Sequence, residues 1–358
     1  MSDDPPKPPR PDYDMEDWDD ELPPPGRLAD ALVYCRELLL PLYYAANRGA
    51  MKDQKTYRII SAVAVSCGTV AVLFAIVQLS GLLRAPWPLW TEVFAALSAV
   101  VAVVLGLMLS KQSAWLLQRN KAERFRLLKF GSIIDPRLWC KSGEASENAE
   151  AWRARLHSSA EQIESMTPAD LERGDRGDRT DSSVELKDCL LDDDEIRRLI
   201  DYYRDRRLNT QMYFFRTRAG DNNKYDRLLK KVGPAFFFLS VAAVFAHLVV
   251  DIACGHGLHS TSVALIAIAA ILPVLGSGVR NFRGVYEFVR NARLFSRMRD
   301  SLRRQRDELD EMRKDPGYWP PGRTRAEAVL ELMKRCEQSM ENEHSEWMRL
   351  MLEAEWYS

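Results

Sequence analysis

Histidine is scarce in this chain, and no motif of a known catalytic centre is present. The 358 residues include five His, too few and too scattered to build a typical acid–base site. The patterns G-x-x-x-x-G-K-[ST], G-x-G-x-x-G, G-x-S-x-G and H-E-x-x-H do not occur. These absences argue against an enzyme, and we expect no catalytic residue, no cofactor and no bound metal.

Net charge is nearly absent as well, since 50 Lys and Arg stand against 51 Asp and Glu. A protein that coats nucleic acid carries a positive excess, so this balance argues against a nucleic-acid partner. The six Cys show no paired spacing, which predicts neither a zinc site nor a disulfide scaffold. A cleavable signal is also lacking. Residues 1–27 are instead rich in Asp, Glu and Pro, the composition of a disordered cytosolic tail.

Charge is almost missing from four long stretches, which are the most informative feature of the chain. They cover approximately residues 59–83, 91–110, 232–251 and 261–278. A helix of ~20 apolar residues crosses a hydrocarbon core of ~30 Å, so each stretch is long enough to span a membrane. Short connections within each pair predict two transmembrane helical hairpins. The sequence therefore predicts an all-α integral membrane protein with four spans.

Lys and Arg are distributed unevenly around these spans. They are frequent before the first span, after the second, before the third and after the fourth. The turn inside the first hairpin holds only Arg84, and residues 252–260 hold no Lys or Arg. Because basic residues translocate poorly, this asymmetry predicts that both termini and the central region face the cytoplasm, with the protein in the inner (plasma) membrane.

The two hairpins belong to two copies of one unit, at residues 28–140 and 195–315. Laying residue 44 on residue 213 aligns the following positions: Tyr44, Ala50, Lys55 and Arg58 with Tyr213, Ala219, Lys224 and Arg227. After each hairpin the chain reads Arg119-Asn120 and Arg290-Asn291, again at the start of a basic helix. Each copy is thus predicted to be an amphipathic cytoplasmic helix, a hairpin and a second cytoplasmic helix.

The remaining segments are predicted to be cytoplasmic. Residues 141–194 form a polar, acidic and irregular insert, which ends in Asp192-Asp193-Asp194. This acidic triplet indicates the first turn of a helix that starts near Glu195 rather than a metal site. Residues 316–358 contain a last amphipathic helix. Together the amphipathic helices predict a cytoplasmic helical bundle.

One motif carries a family resemblance. Arg206-Arg207-Leu208-x-x-Gln211-x-Tyr213-Phe214, followed by Arg218-Ala219, a basic stretch and a hairpin, resembles the SLATT domain, the SMODS- and SLOG-associating two-transmembrane effector domain. Tyr43-Tyr44-Ala45-Ala46 looks like a divergent second copy, so the chain resembles a tandem SLATT protein. The resemblance implies an effector of a bacterial conflict or antiphage system. Such an effector is often encoded beside nucleotide-signalling or sensor proteins, oligomerises and breaches the membrane.

Small residues recur at four-residue steps within two spans. Ser98, Ala102 and Gly106 do so in the second span, and Ala242 and Ala246 in the third. Such stripes allow helix backbones to approach closely. We therefore expect these residues to pair helices within one chain or between chains of a homo-oligomer.

Few polar residues occur within the spans, and each is a candidate for a pore lining. The candidates we single out are His247, Asp251, Gln78 and Ser66, and Ser61, Thr69, Ser98 and Ser240 are further polar groups that could contribute to a lining. The alternative for His247 is a structural contact with water or with Asp251 near the outer interface. In the fourth span, Pro273, Gly276 and Gly278 are either a gating hinge or a harmless accommodation.

Three functions are consistent with this sequence. The first is a membrane effector, in contact with the lipid bilayer, that oligomerises and perturbs or permeabilises the inner membrane when a cytosolic nucleotide-signalling or sensor protein activates it. The second is a membrane-anchored scaffold that recruits a cytosolic protein through its acidic tail and C-terminal helix. The third is a small ion channel.

Overall fold

A computed structural model of the protein describes residues 23–81, 87–108, 111–139, 145–172, 191–254, 259–286, 288–315, 318 and 322–353. All regular elements in these ranges are helical, which confirms the all-α prediction. Four helices are long and apolar enough to cross a membrane. Most of the predicted tail, the end of the insert and the turn at residues 255–258 lie outside the described residues.

The helices follow one another along the chain with the bounds below. They are α1 (Arg27–Leu79), α2 (Trp87–Met108), α3 (Lys111–Ile133), α4 (Pro136–Trp139), α5 (Ala145–Ser165), α6 (Pro168–Glu172), α7 (Asp193–Tyr203), a π-helical turn (Arg204–Asn209), α8 (Thr210–Cys254), α9 (His259–Tyr286), α10 (Phe288–Lys314) and α11 (Arg325–Glu353). The four apolar segments lie in α1, α2, α8 and α9.

Several helix ends follow the sequence signals. The Asp192 side chain accepts a hydrogen bond from the Glu195 amide at 2.7 Å, and the Glu195 carboxylate accepts one from the Asp192 amide. This capping box confirms a helix start at the acidic triplet. α10 ends at Lys314, as the Asp315-Pro316-Gly317 sequence predicts. α1 ends at Leu79, four residues before the predicted end of the first span, because Gly81 adopts a left-handed φ of 70°.

The chain divides into two compact units. The first, which we call the bundle unit, comprises Met1–Lys52, Ser113–Arg218 and Leu294–Ser358. The second, which we call the apolar unit, comprises Asp53–Gln112 and Ala219–Arg293. The apolar unit holds the four apolar segments, and the bundle unit holds the amphipathic helices.

The bundle unit has a core to which both predicted repeats contribute. Its main cluster joins the start of α1, the end of α3, α7, the end of α10 and α11, through side chains that include Leu32, Phe130, Leu199, Leu309 and Leu332. Each of these five is at most 1% exposed. Burial of one such side chain contributes roughly 1.5–3 kcal/mol, so this core is the main source of stability in the bundle unit.

The polar insert is more ordered than the sequence predicted. Residues 145–165 form α5, whose Trp152, Leu156, Ala160 and Ile163 are buried against α1 and α3. The Trp152 indole donates a hydrogen bond of 2.9 Å to the Ser132 carbonyl oxygen. The prediction of an irregular insert is therefore wrong for α5 and α6. The apolar positions recur every three or four residues, but they are few and are surrounded by polar residues.

Burial repeats between the two predicted copies. Leu39 and Ala50 of α1 are buried, and so are Leu208 and Ala219, the residues that align with them. In α3 and α10, the pattern of buried residues aligns one position away from the alignment that Arg119-Asn120 and Arg290-Asn291 suggest. The residues that match are buried in both helices: Leu116, Asn120 and Phe130 correspond to Phe288, Ala292 and Leu302. Side-chain burial is thus a better guide to the alignment of these helices than the shared dipeptide.

Candidate functional site

The predicted polar residue His247 joins two helices of the apolar unit. Its Nδ1 lies 2.8 Å from the Ser262 hydroxyl of α9. This hydrogen bond gives the Ser262 hydroxyl and one ring nitrogen of His247 a partner, and an unpaired polar group is costly in an apolar environment. Asp251, one turn further along α8, is exposed. The structure therefore pairs His247 with Ser262, a partner that the sequence prediction did not name.

Gln78 makes a comparable bond inside the first hairpin. Its side-chain amide donates to a Glu92 carboxylate oxygen of α2 at 2.8 Å. The Phe74 ring of α1 and the Trp87 ring of α2 also meet edge to face, with centroids 5.8 Å apart. Ser66, by contrast, is exposed. Two of the four predicted polar residues thus link helices, and two lie on the surface of the single chain.

The small residues of the second span lie next to the first span. Ala102 is buried, Ser98 is half-buried, and a Cβ atom on Gly106 would lie 3.5 Å from Ile60 Cγ2 of α1. This face therefore packs within the chain. Ala242 and Ala246 of α8 are both exposed, so any pairing through them would involve lipid or another chain.

The side of α8 that packs within the chain carries different residues. Ser240 and Ala243 are buried, and the Ser240 hydroxyl donates a hydrogen bond of 2.7 Å to the Ala269 carbonyl oxygen of α9. Together with the bond between His247 and Ser262, this contact fixes α8 against α9.

The predicted hinge residues lie in an uninterrupted helix. α9 runs from His259 to Tyr286 through Pro273. A Cβ atom on Gly276 would lie 3.5 Å from the Gly233 carbonyl oxygen of α8, and one on Gly278 would lie 3.3 Å from Thr69 Oγ1 of α1. The two glycines thus permit close approach between helices. The close approach of Gly278 also joins α9 to α1 within the apolar unit.

The bundle unit contains a buried ion pair that the sequence did not reveal. Arg207, 2% exposed, donates through Nε and Nη2 to the two carboxylate oxygens of Glu337, at 3.0 and 2.7 Å. The Tyr203 hydroxyl donates to the same carboxylate at 2.7 Å. The guanidinium lies 4.6 Å from the centroid of the Phe130 ring. Such a bidentate, stacked arrangement suits arginine and not lysine.

Local backbone geometry positions this ion pair. Arg207 lies in the π-helical turn Arg204–Asn209, between α7 and α8. π-Helical turns are rare overall and are often found at functional positions. Burial and the neighbouring Glu337 charge raise the pKa of Tyr203 well above its usual value, so this hydroxyl stays protonated and donates. The Arg207 position does fall within the SLATT-like motif, which is the one sequence signal that points to it.

A second charged group lies around Glu123 of α3. Burial alone would raise the pKa of this carboxyl, but the guanidinium groups of Arg126 and Arg119 outweigh burial and hold its pKa well below the usual range. The Arg119 contact is 2.6 Å long and the Arg126 contact 3.1 Å. Arg126 also donates to the Tyr43 hydroxyl at 3.3 Å, so this group connects α3 with α1.

Neighbouring groups on α11 remain uncharged at neutral pH. Burial lowers the pKa of His344 to about 4, and its Nε2 lies 3.0 Å from Asn120 Oδ1. Burial, with a smaller contribution from the Glu346 charge, raises the pKa of Glu343 to about 8. His344 is therefore a neutral hydrogen-bond donor to the Asn120 side chain, and Glu343 is largely protonated.

The chemistry available to the described side chains is limited. Burial raises the pKa of the Cys35 thiol to about 11 and that of Cys336 to about 12, so neither is a thiolate nucleophile at neutral pH. Within the described ranges no group of three or more His, Cys, Asp or Glu is arranged to hold a metal ion. The bonds of Arg207, Arg126, Ser240 and His247 instead connect one helix to another.

These features define an all-helical protein with four helices long and apolar enough to cross a membrane. No protein-family model, curated protein or solved structure matches the chain. The SLATT resemblance accordingly stays a prediction from the Arg207 motif and its divergent copy at Tyr43-Tyr44.

Proposed function

We propose that the protein is a multi-pass inner-membrane effector that oligomerises and perturbs or permeabilises the membrane when a cytosolic partner activates it. The observation that carries the proposal is the exposed surface of the apolar unit. At most 11% of the residues in each apolar window are buried within the chain. Phe94, Phe238 and Ile252 are each at least 70% exposed. Lipid or further protein must cover a surface of this kind.

Assembly is required because a single chain offers little polar lining. His247 and Gln78 are engaged in bonds between helices, and Ser240 is bonded to the backbone of α9. A conducting path would therefore form between chains, with the exposed Ser66 and Asp251 as candidate polar groups. This composition favours bilayer disruption or a small conductance over a selective filter.

Activation would act through the bundle unit. The distribution of Lys and Arg supports a cytoplasmic position for both termini and therefore for this unit. α1 contributes residues to both units, as its bounds show, so it is a candidate element for passing a signal to the membrane. A nucleotide-signalling or sensor protein is the partner that the SLATT resemblance implies.

Induced expression in bacteria with a potential-sensitive dye tests this function. We expect depolarisation and loss of viability when the protein is expressed together with the cytosolic partner protein that activates it. Without that partner, the membrane potential should stay intact. Gly278→Leu, which should prevent close packing of α9 on α1, should weaken the depolarisation, and Gly68→Leu, where a Cβ atom meets nothing within 4 Å, is the matched control that should leave it unchanged. An intact potential in every combination, despite confirmed membrane insertion, would overturn the effector proposal.

The scaffold alternative rests mainly on the acidic tail. α11 is less available for recruitment because its Leu332, Met333 and Cys336 are buried in the bundle core. If the potential stays intact, pull-downs with the tail would test the scaffold. Ion flux without toxicity would instead identify a small channel.

A further inference from the structure

α8 carries three basic side chains on one face, just before its apolar segment. Lys224, Arg227 and Lys231 are spaced by three and four residues, which places them on the same side of a helix. All three are exposed. Leu228, 59% exposed, lies between them on the same face.

The opposite side of α8 is the side that packs within the apolar unit. Asp226 forms an ion pair of 2.6 Å with Arg283 of α9, and Ser240 and His247 bond to α9 further along the helix. Lys224, Arg227 and Lys231, which we call the basic triad, thus point away from α9. None of its members forms an ion pair with a carboxylate of the described residues, and Arg227 Nε donates to the Asn223 carbonyl oxygen of its own helix.

The same outward face continues into the apolar segment. Ala235, Ala242 and Ala246 are exposed on it. Leu239, 55% exposed, lies between Ala235 and Ala242 on this face, and Phe238 and Phe245 beside them are 70% and 63% exposed. An exposed apolar face thus follows directly after the three cations.

We propose that this face binds an anionic phospholipid, with the phosphate between Lys224, Arg227 and Lys231 and an acyl chain along Ala235, Ala242 and Ala246. The amphiphilic ligand matches both halves of the surface, since a phosphate complements the three cations and a hydrocarbon chain complements the exposed apolar face. The proposal rests on the membrane insertion of α8 but not on permeabilisation.

A second copy of the chain is a poorer occupant of this face. Two copies inserted in the same orientation and paired through α8 would bring the two basic triads together, and such like charges repel. Bound lipid therefore also explains why small residues occur at Ala242 and Ala246, without direct pairing of two α8 helices. The small residues of α2 would not be affected, because Ala102 and Gly106 pack against α1.

Lipid retention by the full-length protein in nanodiscs tests the proposal. Nanodiscs would contain both phosphatidylglycerol and phosphatidylcholine. Native mass spectrometry would then count how many molecules of each lipid stay bound to the protein after it is released from the discs. The variant Lys224→Gln, Arg227→Gln, Lys231→Gln should weaken phosphatidylglycerol retention by at least about tenfold, with phosphatidylcholine unchanged. The matched control Arg197→Gln, Arg297→Gln, Arg304→Gln removes the same charge from exposed positions of the bundle unit and should retain the lipid.

A second variant tests the apolar half of the proposed site without altering charge. Ala242→Leu, Ala246→Leu should also reduce phosphatidylglycerol retention, because the larger side chains push the acyl chain away from the helix surface. Equal losses of phosphatidylglycerol retention in the triad variant and the control variant, or no loss of retention in the triad variant, would overturn the proposal. So would displacement of the lipid by inorganic phosphate alone, or lipid-independent crosslinking between copies at Ala246→Cys. Loss of lipid retention with depolarisation preserved would leave the proposed function standing.

Discussion

Arg207 and Glu337 form the most consequential side-chain contact in the bundle unit. Both are buried, and they join the π-helical turn before α8 to α11. Desolvation of two charges makes the net benefit of such a pair small, whereas loss of one partner leaves an isolated buried charge. The pair therefore specifies which helices meet more than it adds to stability.

The variant Glu337→Gln leaves Arg207 buried without a counter-charge. We expect it to lower the free energy of unfolding by about 3–5 kcal/mol, measured by denaturant titration of the solubilised protein. The double variant Arg207→Met, Glu337→Met should recover most of this loss. As a control, Glu308→Gln breaks the exposed pair with Arg335 and should cost less than about 1 kcal/mol. Equal losses in Glu337→Gln and Glu308→Gln would contradict the assignment.

Glu343 gives the bundle unit a pH dependence of defined sign. Burial, more than the nearby Glu346 charge, raises its pKa from 4.5 to about 8, so the folded state binds more protons than the unfolded state between these values. This contribution to stability is complete below about pH 4.5 and is lost as the pH rises through 8. Glu343→Gln, which stays neutral, should therefore gain stability relative to the wild type at pH 9 and not at pH 5.

Thermal unfolding at several pH values measures this difference. Glu341→Gln, which changes an exposed carboxylate of the same helix, should show no such trend. His344 has the opposite effect on stability. Its pKa is about 4 in the folded state and 6.5 in the unfolded state, so the unfolded state binds more protons and the folded state loses stability as the pH falls below 6.5. A Glu343→Gln curve parallel to the wild type from pH 5 to 9 would refute the proposed protonation state.

At the scale of elements, α5 shows how a helix in a polar segment becomes structural. Trp152 is 4% exposed, bonds the Ser132 carbonyl and packs 5.7 Å from the Tyr34 ring, between centroids. One large side chain thus supplies much of the contact between α5 and the helices it covers.

Trp152→Ala should detach α5 from the bundle unit. We expect a loss of about 3–5 kcal/mol in unfolding free energy and new protease cleavage within residues 145–165. Glu150→Ala, at an exposed position one half-turn earlier, should leave both unchanged. Unaltered proteolysis of Trp152→Ala would show that α5 is held by other contacts.

The sequence was most informative where one physical pattern dominates. Uncharged length predicted the four apolar helices, and the acidic triplet Asp192-Asp193-Asp194 predicted a helix start close to that of α7. α5 was missed because its four buried apolar residues lie among many polar ones. The contact of Arg207 with Glu337 joins side chains 130 residues apart, so the SLATT-like motif points to Arg207 but no local pattern reveals its partner. The bond between His247 and Ser262 likewise depends on how two helices pack.

At the scale of the molecule, the four apolar helices belong to one compact unit. The close approach of Gly278 to Thr69 links α9 to α1. This link joins the two predicted repeats within one chain, so we expect the single chain to be the building block of any larger assembly.

Gly278→Leu tests this joint. A Cβ atom there would already lie 3.3 Å from Thr69 Oγ1, so a larger side chain forces α9 away from α1 at a cost of about 1–3 kcal/mol. We expect a lower melting temperature in detergent. Gly68→Leu, in α1 where a Cβ atom meets nothing within 4 Å, should change stability by less than about 0.5 kcal/mol. Similar melting of the two variants would contradict close packing at Gly278.

The central claim is that the apolar unit spans the membrane with the bundle unit in the cytoplasm, and single-cysteine labelling tests it most directly. All six Cys would be replaced by Ser, and Cys would then be introduced at exposed Asp251 or exposed Arg304. A membrane-impermeant maleimide should label Asp251→Cys in intact cells, and should label Arg304→Cys only after the membrane is permeabilised. Labelling of Arg304→Cys in intact cells, or of neither site before permeabilisation, would contradict this topology.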